Sequence, residues 1–265
     1  MDLIDTHCHI DVEDFDADRT VVLDHCRRLG IRRLIVPAVI ARTWRNLLDL
    51  CRREPGLLPA LGLHPVYIDQ HSDADLAALP SWVARECPVA IGEIGLDYFV
   101  NDLDRARQQQ VFEAQLTVAR DAGLPVVLHV RKAHDQVLAT LKRIKVRGGF
   151  AHAFNGSLQQ AQQYIDLGFK LGFGGMLTFE RSNKLRSLAK ALPLEALVLE
   201  TDAPDMTVVA HRGERNSPEY LPDCLRALAD VRGEDPGVIA AVTTRNAEAV
   251  LGLASTLELN YQEQT

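Results

Sequence analysis

The sequence predicts an α/β protein built as a single (β/α)8 TIM barrel, one domain taking in residues 1–265. Three observations lead there. Eight short β-branched or leucine-rich runs alternate with amphipathic stretches of helical period. Several runs, among them Leu34-Ile35-Val36 and Val126-Val127-Leu128, are apolar on both faces, as suits parallel strands covered on each side. No linker rich in proline, glycine or serine splits the eight units into two open sheets. A doubly wound sheet is the competing architecture, but the G-x-G-x-x-G and Walker sequences that usually accompany it are missing.

The predicted strands are Leu3–Thr6, Arg33–Pro37, Leu58–Gly62, Val89–Ile94, Val126–Val130, Gly149–Ala153, Lys170–Gly174 and Leu197–Thr201. Helical periodicity covers Arg19–Leu29, Thr43–Arg53, Asp75–Glu86, Leu103–Ala122, Ala133–Lys145, Leu158–Leu167, Asn183–Ala191 and Pro218–Val231. Gly30, Gly123 and Gly168 each follow a helical run and lead directly into a strand, the place for a left-handed cap. A ninth helix, Pro236–Leu251, opens on Asp235-Pro236, an N-cap followed by proline at the first helical position.

Composition narrows the function. Hydrophobic residues make up 47% of the chain, which excludes a disordered or low-complexity protein. With 29 Lys+Arg against 36 Asp+Glu the net charge is −7, a poor match to broad electrostatic wrapping of duplex DNA. Cys8, Cys26, Cys51, Cys87 and Cys224 are scattered with no C-x-x-C pair, as expected of reduced thiols in a cytoplasmic protein. The first residues carry no basic, apolar leader, and the longest apolar run, Leu34 to Ala41, is too short to cross a bilayer; no membrane association is expected.

The metal-capable residues fall where the predicted strands end. His7 and His9 follow the first strand as His-x-His, and alternation points both imidazoles to the barrel interior and Cys8 away from it. Glu93 ends the fourth strand, His129 the fifth, His152 the sixth and Asp202 the eighth. A carboxylate in an apolar strand is costly unless paired or metal-bound. Six such residues converge on the C-terminal face, where barrels carry their active sites. Four histidines and two carboxylates exceed one tetrahedral site with an open position. They suit two divalent cations, in such centres about 3.5–4 Å apart, sharing a bridging carboxylate. On this reading His7, His9 and Asp202 hold one cation, His129 and His152 the other, and Glu93 lies between them. Zn, Mn, Co or Fe suits the mixed donor set better than Mg alone. Asp202 doubles as general base, and the pair activates water for hydrolysis.

Seven segments then resemble one family across the chain: Ile4-Asp5-Thr6-His7-Cys8-His9, Gly62-Leu63-His64-Pro65, Gly92-Glu93-Ile94-Gly95-Leu96-Asp97, His129-Val130-Arg131, His152-Ala153-Phe154-Asn155-Gly156, Glu200-Thr201-Asp202-Ala203-Pro204 and Arg215-Asn216-Ser217-Pro218. In this order they resemble the TatD-type metal-dependent hydrolases, within them the YjjV-like subgroup. The resemblance implies an amidohydrolase-type barrel and a divalent-metal deoxyribonuclease, described for some members as a 3′→5′ exonuclease. Asn155 stands where many members have Ser, and Lys132 where several have an acidic residue. Neither replaces an expected ligand.

Around the ligands, His64 is placed to contact the phosphate or leaving group, with a buttressing role before Pro65 as the alternative. Arg131 is placed to clamp a phosphate against a competing rim salt bridge. Glu200, which alternates with Asp202, is expected to orient a ligand histidine. Asn216, with Arg215, lies in the long loop after strand eight and is read as substrate-binding. Arg131, Lys132, Arg181, Lys184, Arg212 and Arg215 follow strands five, seven and eight and offset the acidic total locally. Phe99, Phe154, Phe173 and Phe179 are candidates to stack on a base. The expected partner is DNA, single-stranded or at strand ends; no obligate protein partner is implied. The competing reading keeps the metal pair but gives it a carboxylic ester, amide, lactone or small phosphoester, such as a D-aminoacyl-tRNA ester. A metal-stabilised scaffold protein explains the residues least well.

Overall fold

In the computed structural model, which describes residues 2–253, eight parallel strands wind in chain order. Met1 and residues 254–265, the ends of the expected domain, lie outside the described residues. The strands are β1 (Leu3–Asp5), β2 (Ile31–Pro37), β3 (Leu57–Leu61), β4 (Ala90–Asp97), β5 (Val126–Arg131), β6 (Gly149–Ala151), β7 (Phe169–Phe173) and β8 (Leu197–Leu199). Each pairs in parallel with the next. The ring is drawn together between β8 and the chain leaving β1, where Thr6 N–H donates to the Leu199 carbonyl (3.0 Å) and Asp202 N–H to the His7 carbonyl (2.9 Å).

The intervening helices are α1 (Arg19–Arg28), α2 (Trp44–Arg53), α3 (Asp73–Glu86), α4 (Arg105–Ala122), α5 (His134–Arg143), α6 (Leu158–Asp166), α7 (Asn183–Ala191), α8 (Leu221–Arg232) and α9 (Pro236–Leu251). Their boundaries follow local chemistry. The Asp104 carboxylate caps α4 by accepting from Arg107 N–H, so the helix starts two residues later than its apolar pattern. Gly30 (φ +84°), Gly123 (φ +66°) and Gly168 (φ +84°) take the left-handed conformation expected of them. Asp235 caps α9 through Gly237 and Val238 N–H.

Two apolar layers hold the barrel. Leu34, Val36, Ile91, Leu128, Leu171 and Leu199 face outward into the large core shared with the helices, as does Cys8. Ile4, Ile35, Ala60, Ala90, Val127, Phe150 and Val198 form a second buried cluster with Ala247 and Leu251 of α9. Each large apolar side chain so buried contributes about 1.5–3 kcal/mol. With α9 packed against this inner cluster, the polar residues further along the strands gather at the opposite, C-terminal end.

Candidate metal centre

Strand alternation delivers most of the polar set. Two positions beyond the inward Val127, Phe150 and Val198 stand His129, His152 and Glu200, on the same face by the two-residue period. β4 runs to Asp97, three residues past its expected end, and Glu93 lies inside it. Gly95 makes that extension possible. A Cβ there would stand 1.9 Å from the His129 carbonyl oxygen, so only glycine lets β4 lie against β5 at this level.

His7 and His9 sit just past β1, and Asp202 just past β8. Asp5 bolts these segments together. Its buried carboxylate accepts from His7 N–H (3.1 Å), Thr201 N–H (3.0 Å) and the Thr201 hydroxyl (2.6 Å). Burial pushes the Asp5 carboxyl up to about 7 despite those donors. Asp5 is therefore a brace between the two ligand-bearing segments.

Glu93 is the hub. Its Oε2 lies 3.1 Å from His7 Nε2 and 3.5 Å from His9 Nε2, while Oε1 lies 2.9 Å from His129 Nδ1 and 3.4 Å from His64 Nε2. One buried carboxylate thus serves two sets of imidazoles, one per oxygen. Asp202 Oδ1 lies 3.4 Å from His152 Nε2, 3.7 Å from His7 Nε2 and 4.0 Å from His9 Nε2. Three triads have donor atoms all within 4.8 Å of one another: His7–Glu93–His152, His7–His9–Asp202 and His64–Glu93–His129. Among the described residues no triad joins His129 to His152, the pair that the sequence assigns to one cation. The His152 ring instead stacks on His7, with centroids 3.6 Å apart, and His129 packs edge-on against His64.

Hydrogen bonds behind the rings show which nitrogens face the centre. His9 Nδ1 lies 3.1 Å from the Pro37 carbonyl, so Nδ1 carries the proton and Nε2 turns a lone pair inward. His129 Nε2 lies 3.0 Å from Asp97 Oδ2, which leaves Nδ1 for the centre. His64 differs. Val66 N–H donates to its Nδ1 (3.1 Å), so Nε2 carries the hydrogen and points inward as a donor. Burial holds His64 down at about 4, with His129 adding to the effect, so it is neutral at physiological pH. His152 Nδ1 stands 3.1 Å from Glu200 Oε1 without hydrogen-bond alignment, and that oxygen accepts from Ala153 N–H (2.7 Å).

The carboxylates favour the charged form of three of the imidazoles, whereas burial and His152 lower His7. Burial opposes charge on every member, yet Glu93 and Asp202 raise His9 to about 9, and Asp97 and Glu93 do the same for His129. Glu200 and Asp202 lift His152 well above its usual value. Conversely, burial alone would raise Glu93 and Asp202, but the surrounding histidines hold both below the usual carboxylate range. His7 and His9 turn Nε2 atoms toward each other at 3.2 Å, an arrangement that needs a proton or a cation between lone pairs. The buried Nδ1 atoms of His7 and His152 have no hydrogen-bond partner among the described residues. Such a donor set fits divalent cations, whose binding would displace the protons.

Other expected residues lie elsewhere. Asn216, read as substrate-binding, is buried: Nδ2 donates to the Thr201 (2.8 Å) and Asp205 (2.6 Å) carbonyls and Oδ1 accepts from Ser217 N–H. With its polar groups spent on backbone it shapes the loop carrying Asp202 and does not line the cavity. Arg215 is committed to Asp18 through two hydrogen bonds and lies over Phe15. Phe154 and Phe173 are core residues, whereas Phe99 is exposed. Arg131 lines the same cavity as Glu93 and Asp202, and the competing rim salt bridge is not formed among the described residues. Asp97, which orients His129, carries no role in the reading from sequence; its place two residues beyond Gly95 and four beyond Glu93, on the same strand face, is the available signal. The cavity, about 1240 Å³ and open to solvent, is lined by Arg131, Arg181 and Lys184 as well as by Asp14, Glu93, Glu200, Asp202 and Asp205.

A parallel eight-stranded barrel with imidazoles and carboxylates gathered at the C-terminal ends of its strands defines the class of metal-dependent barrel hydrolases. Comparison with known proteins makes this specific. Residues 4–252 match the family described as TatD related DNase, and the chain belongs to that family of metal-dependent hydrolases. It is 41% identical to the metal-dependent hydrolase YjjV of Escherichia coli K12, covering 92% of this chain and 95% of the relative. It is 33% identical to the 3′-5′ ssDNA/RNA exonuclease TatD of Salmonella typhimurium LT2, over 94% and 98% of the two chains. The crystal structure of YjjV, a TatD homologue from E. coli K12, superposes with a TM-score of 0.92 at 39% identity, covering 95% of this chain and 98% of that one. Among the described residues no helix is long and apolar enough to cross a membrane.

Proposed function

We propose that this hydrolase is a deoxyribonuclease that removes nucleotides from a DNA strand end in the 3′→5′ direction. The observation that carries the reading is the site itself: five histidines and Asp202 clustered about Glu93, at a cavity whose lining also bears Arg131, Arg181 and Lys184. A polyanion is the substrate class that these basic side chains favour. The name of the Salmonella relative supports the same assignment.

His7, His9, Asp202, His129 and His152, with Glu93 shared, would hold two divalent cations of the Zn, Mn, Co, Fe or Mg group. When bound they would supply Lewis acidity toward the phosphoryl group and acidify water. The protein's own residues divide the remaining work. Asp202, kept ionised by His152, His7 and His9, accepts the proton of the attacking water at Oδ1 and returns it to the leaving oxygen. His64 Nε2–H donates to the phosphoryl or leaving oxygen as charge develops, and its neutrality makes it a donor at any pH near 7. Asp97 keeps His129, and Glu200 keeps His152, from rotating out of the centre.

The test is metal analysis followed by turnover of end-labelled single-stranded DNA, duplex DNA and a panel of small esters, with Glu93→Gln as control. The expected result is two cations per chain and release of nucleotides from the 3′ end, both lost in the variant while the fold is kept. Ester turnover with DNA left intact under Mg, Mn and Co would refute the nuclease assignment. Fewer than two cations after reconstitution would refute the shared-carboxylate arrangement.

A further inference from the structure

Arg131 of the cavity lining also belongs to a cation–aromatic cluster whose other members, Phe99 and Lys132, lie outside that lining. Phe99, just past β4, is 46% exposed. The Arg131 guanidinium lies over its ring at 3.7 Å from the centroid, and Lys132 Nζ approaches the same ring at 4.9 Å. Neither cation makes an ion pair among the described residues. On the adjoining residue, Arg105 lies 4.7 Å from the Tyr98 ring centroid. Three cations thus lie against two consecutive aromatics in a chain of net charge −7.

The placement is rigid. Asp97 Oδ1 accepts from Phe99 N–H (2.8 Å) and Val100 N–H (3.0 Å), while its Oδ2 faces His129 Nε2 (3.0 Å). One carboxyl group therefore ties the aromatic loop to a histidine of the centre. Lys132 adopts φ +54°, a left-handed backbone that L residues seldom take, and this conformation aims its side chain at Phe99.

We propose that Phe99, Arg131 and Lys132 form a binding platform for the single-stranded polynucleotide segment on the 5′ side of the scissile bond. A base stacks on the open face of Phe99, and the adjoining phosphates lie between Arg131 and Lys132. The proposal rests on the nuclease reading and adds to it the residues that would grip the strand. A phenyl face accepts any unpaired base, whereas bases inside a duplex are already stacked on each other. Arg131 supplies a fork for phosphate oxygens and Lys132 a point charge.

The test uses the metal-loaded enzyme and oligothymidylates of increasing length whose 3′-terminal linkage is a hydrolysis-resistant phosphorothioate. Binding is followed by fluorescence anisotropy across a salt series. Phe99→Ala is expected to weaken binding about tenfold, with Phe99→Trp restoring it, because stacking on one base is of that order. The double variant Arg131→Ala/Lys132→Ala is expected to flatten the plot of log K against log salt by about 0.7 for each phosphate it leaves unneutralised. A duplex of the same length is expected to bind more weakly than the single strand and to be indifferent to Phe99→Ala. If the wild type binds the oligonucleotide but these variants match it within about twofold at unchanged salt slope, the platform is overturned and the nuclease reading stands. If Phe99→Trp fails to restore what Phe99→Ala removes, the ring is only a loop support and the platform is again overturned. If the wild type does not bind the oligonucleotide at all, both readings fall together.

Discussion

Replacing Asp97 by Asn tests whether the centre depends on a residue that never touches the reacting atoms. In the structure Asp97 Oδ1 accepts two backbone N–H groups and Oδ2 receives His129 Nε2–H. An amide can reproduce only half of this. If its oxygen stays on Phe99 and Val100, its NH2 faces His129 Nε2. The ring must then place its proton on Nδ1, the atom directed at Glu93 Oε1 (2.9 Å), where a cation needs a lone pair. If the amide flips, His129 keeps its acceptor but the part-buried N–H groups of Phe99 and Val100 lose theirs. Loss of a partner behind a ligand histidine typically lowers metal affinity about 10- to 100-fold, or about 1.4–2.8 kcal/mol. The flipped alternative costs about 1–3 kcal/mol in unsatisfied donors. The first route appears in metal affinity and the second in fold stability, so the two are read together. On the first route, calorimetric titration of Zn or Mn into chelator-stripped protein should show one of two binding steps weakened at least about tenfold, with Asp97→Glu intermediate; on the second, the denaturation midpoint falls instead. Wild-type affinity at both steps, with an unchanged denaturation midpoint, would refute the argument.

The same carboxyl carries a pH signature in metal-free protein. Although burial opposes ionisation, His129 and the N–H groups of Val100 and Phe99 lower Asp97 from 3.8 to about 2. A depressed carboxyl stabilises the fold above its unfolded pKa and loses that contribution as pH falls toward the folded value. About 2 kcal/mol should disappear between about pH 4 and 2, and urea titrations of Asp97→Asn should lack that component. His64→Ala should leave metal content unchanged and lower kcat/KM about 10- to 100-fold, the value of one hydrogen bond to developing charge. Because His64 sits at about 4, the variant should keep the shape of the rate profile above about pH 5; loss of metal instead would make His64 a ligand. Gly172→Ala would put a Cβ 2.0 Å from Oε2 of the buried Glu200 carboxylate. Overpacking of this kind costs about 1–3 kcal/mol, so an unchanged urea midpoint would show that Glu200 is not held against β7 as described.

The acidic total and the nuclease reading concern different parts of the molecule. Net charge governs long-range association, and −7 still argues against gripping a duplex along its length. On the proposed function, a phosphate in the cavity would face Arg131, Arg181 and Lys184 of its lining, and screening acts over about 8 Å at physiological salt. Glu93 and Asp202 count toward the acidic sum, yet they face imidazoles and would face cations. An enzyme acting at a strand end makes few phosphate contacts, so a local patch suffices where a global field is missing.

The barrel is legible in the sequence because its signals are periodic: apolar runs, helical stretches and Gly30, Gly123 and Gly168 as stops all obey local rules, and each reappears in place. The ligand candidates are legible for a related reason, since His129, His152 and Glu200 stand two positions beyond inward apolar residues. Reading by local rules fails where those rules end. It stops β4 at Ile94 because Gly95 and Asp97 are poor strand formers, yet the strand continues, since β5 pairs with it to Asp97 and Gly95 alone admits the His129 carbonyl. That truncation hides Asp97, which alternates with Glu93 on one face and anchors both His129 and the Phe99 loop. Asn216 misleads in the opposite direction. A polar residue in a long loop beside the site reads as substrate-binding, but nothing in its neighbourhood along the chain reveals that the Thr201 and Asp205 carbonyls need its amide. Loop residues are assigned by what the tertiary fold leaves unsatisfied, and that account exists only in three dimensions.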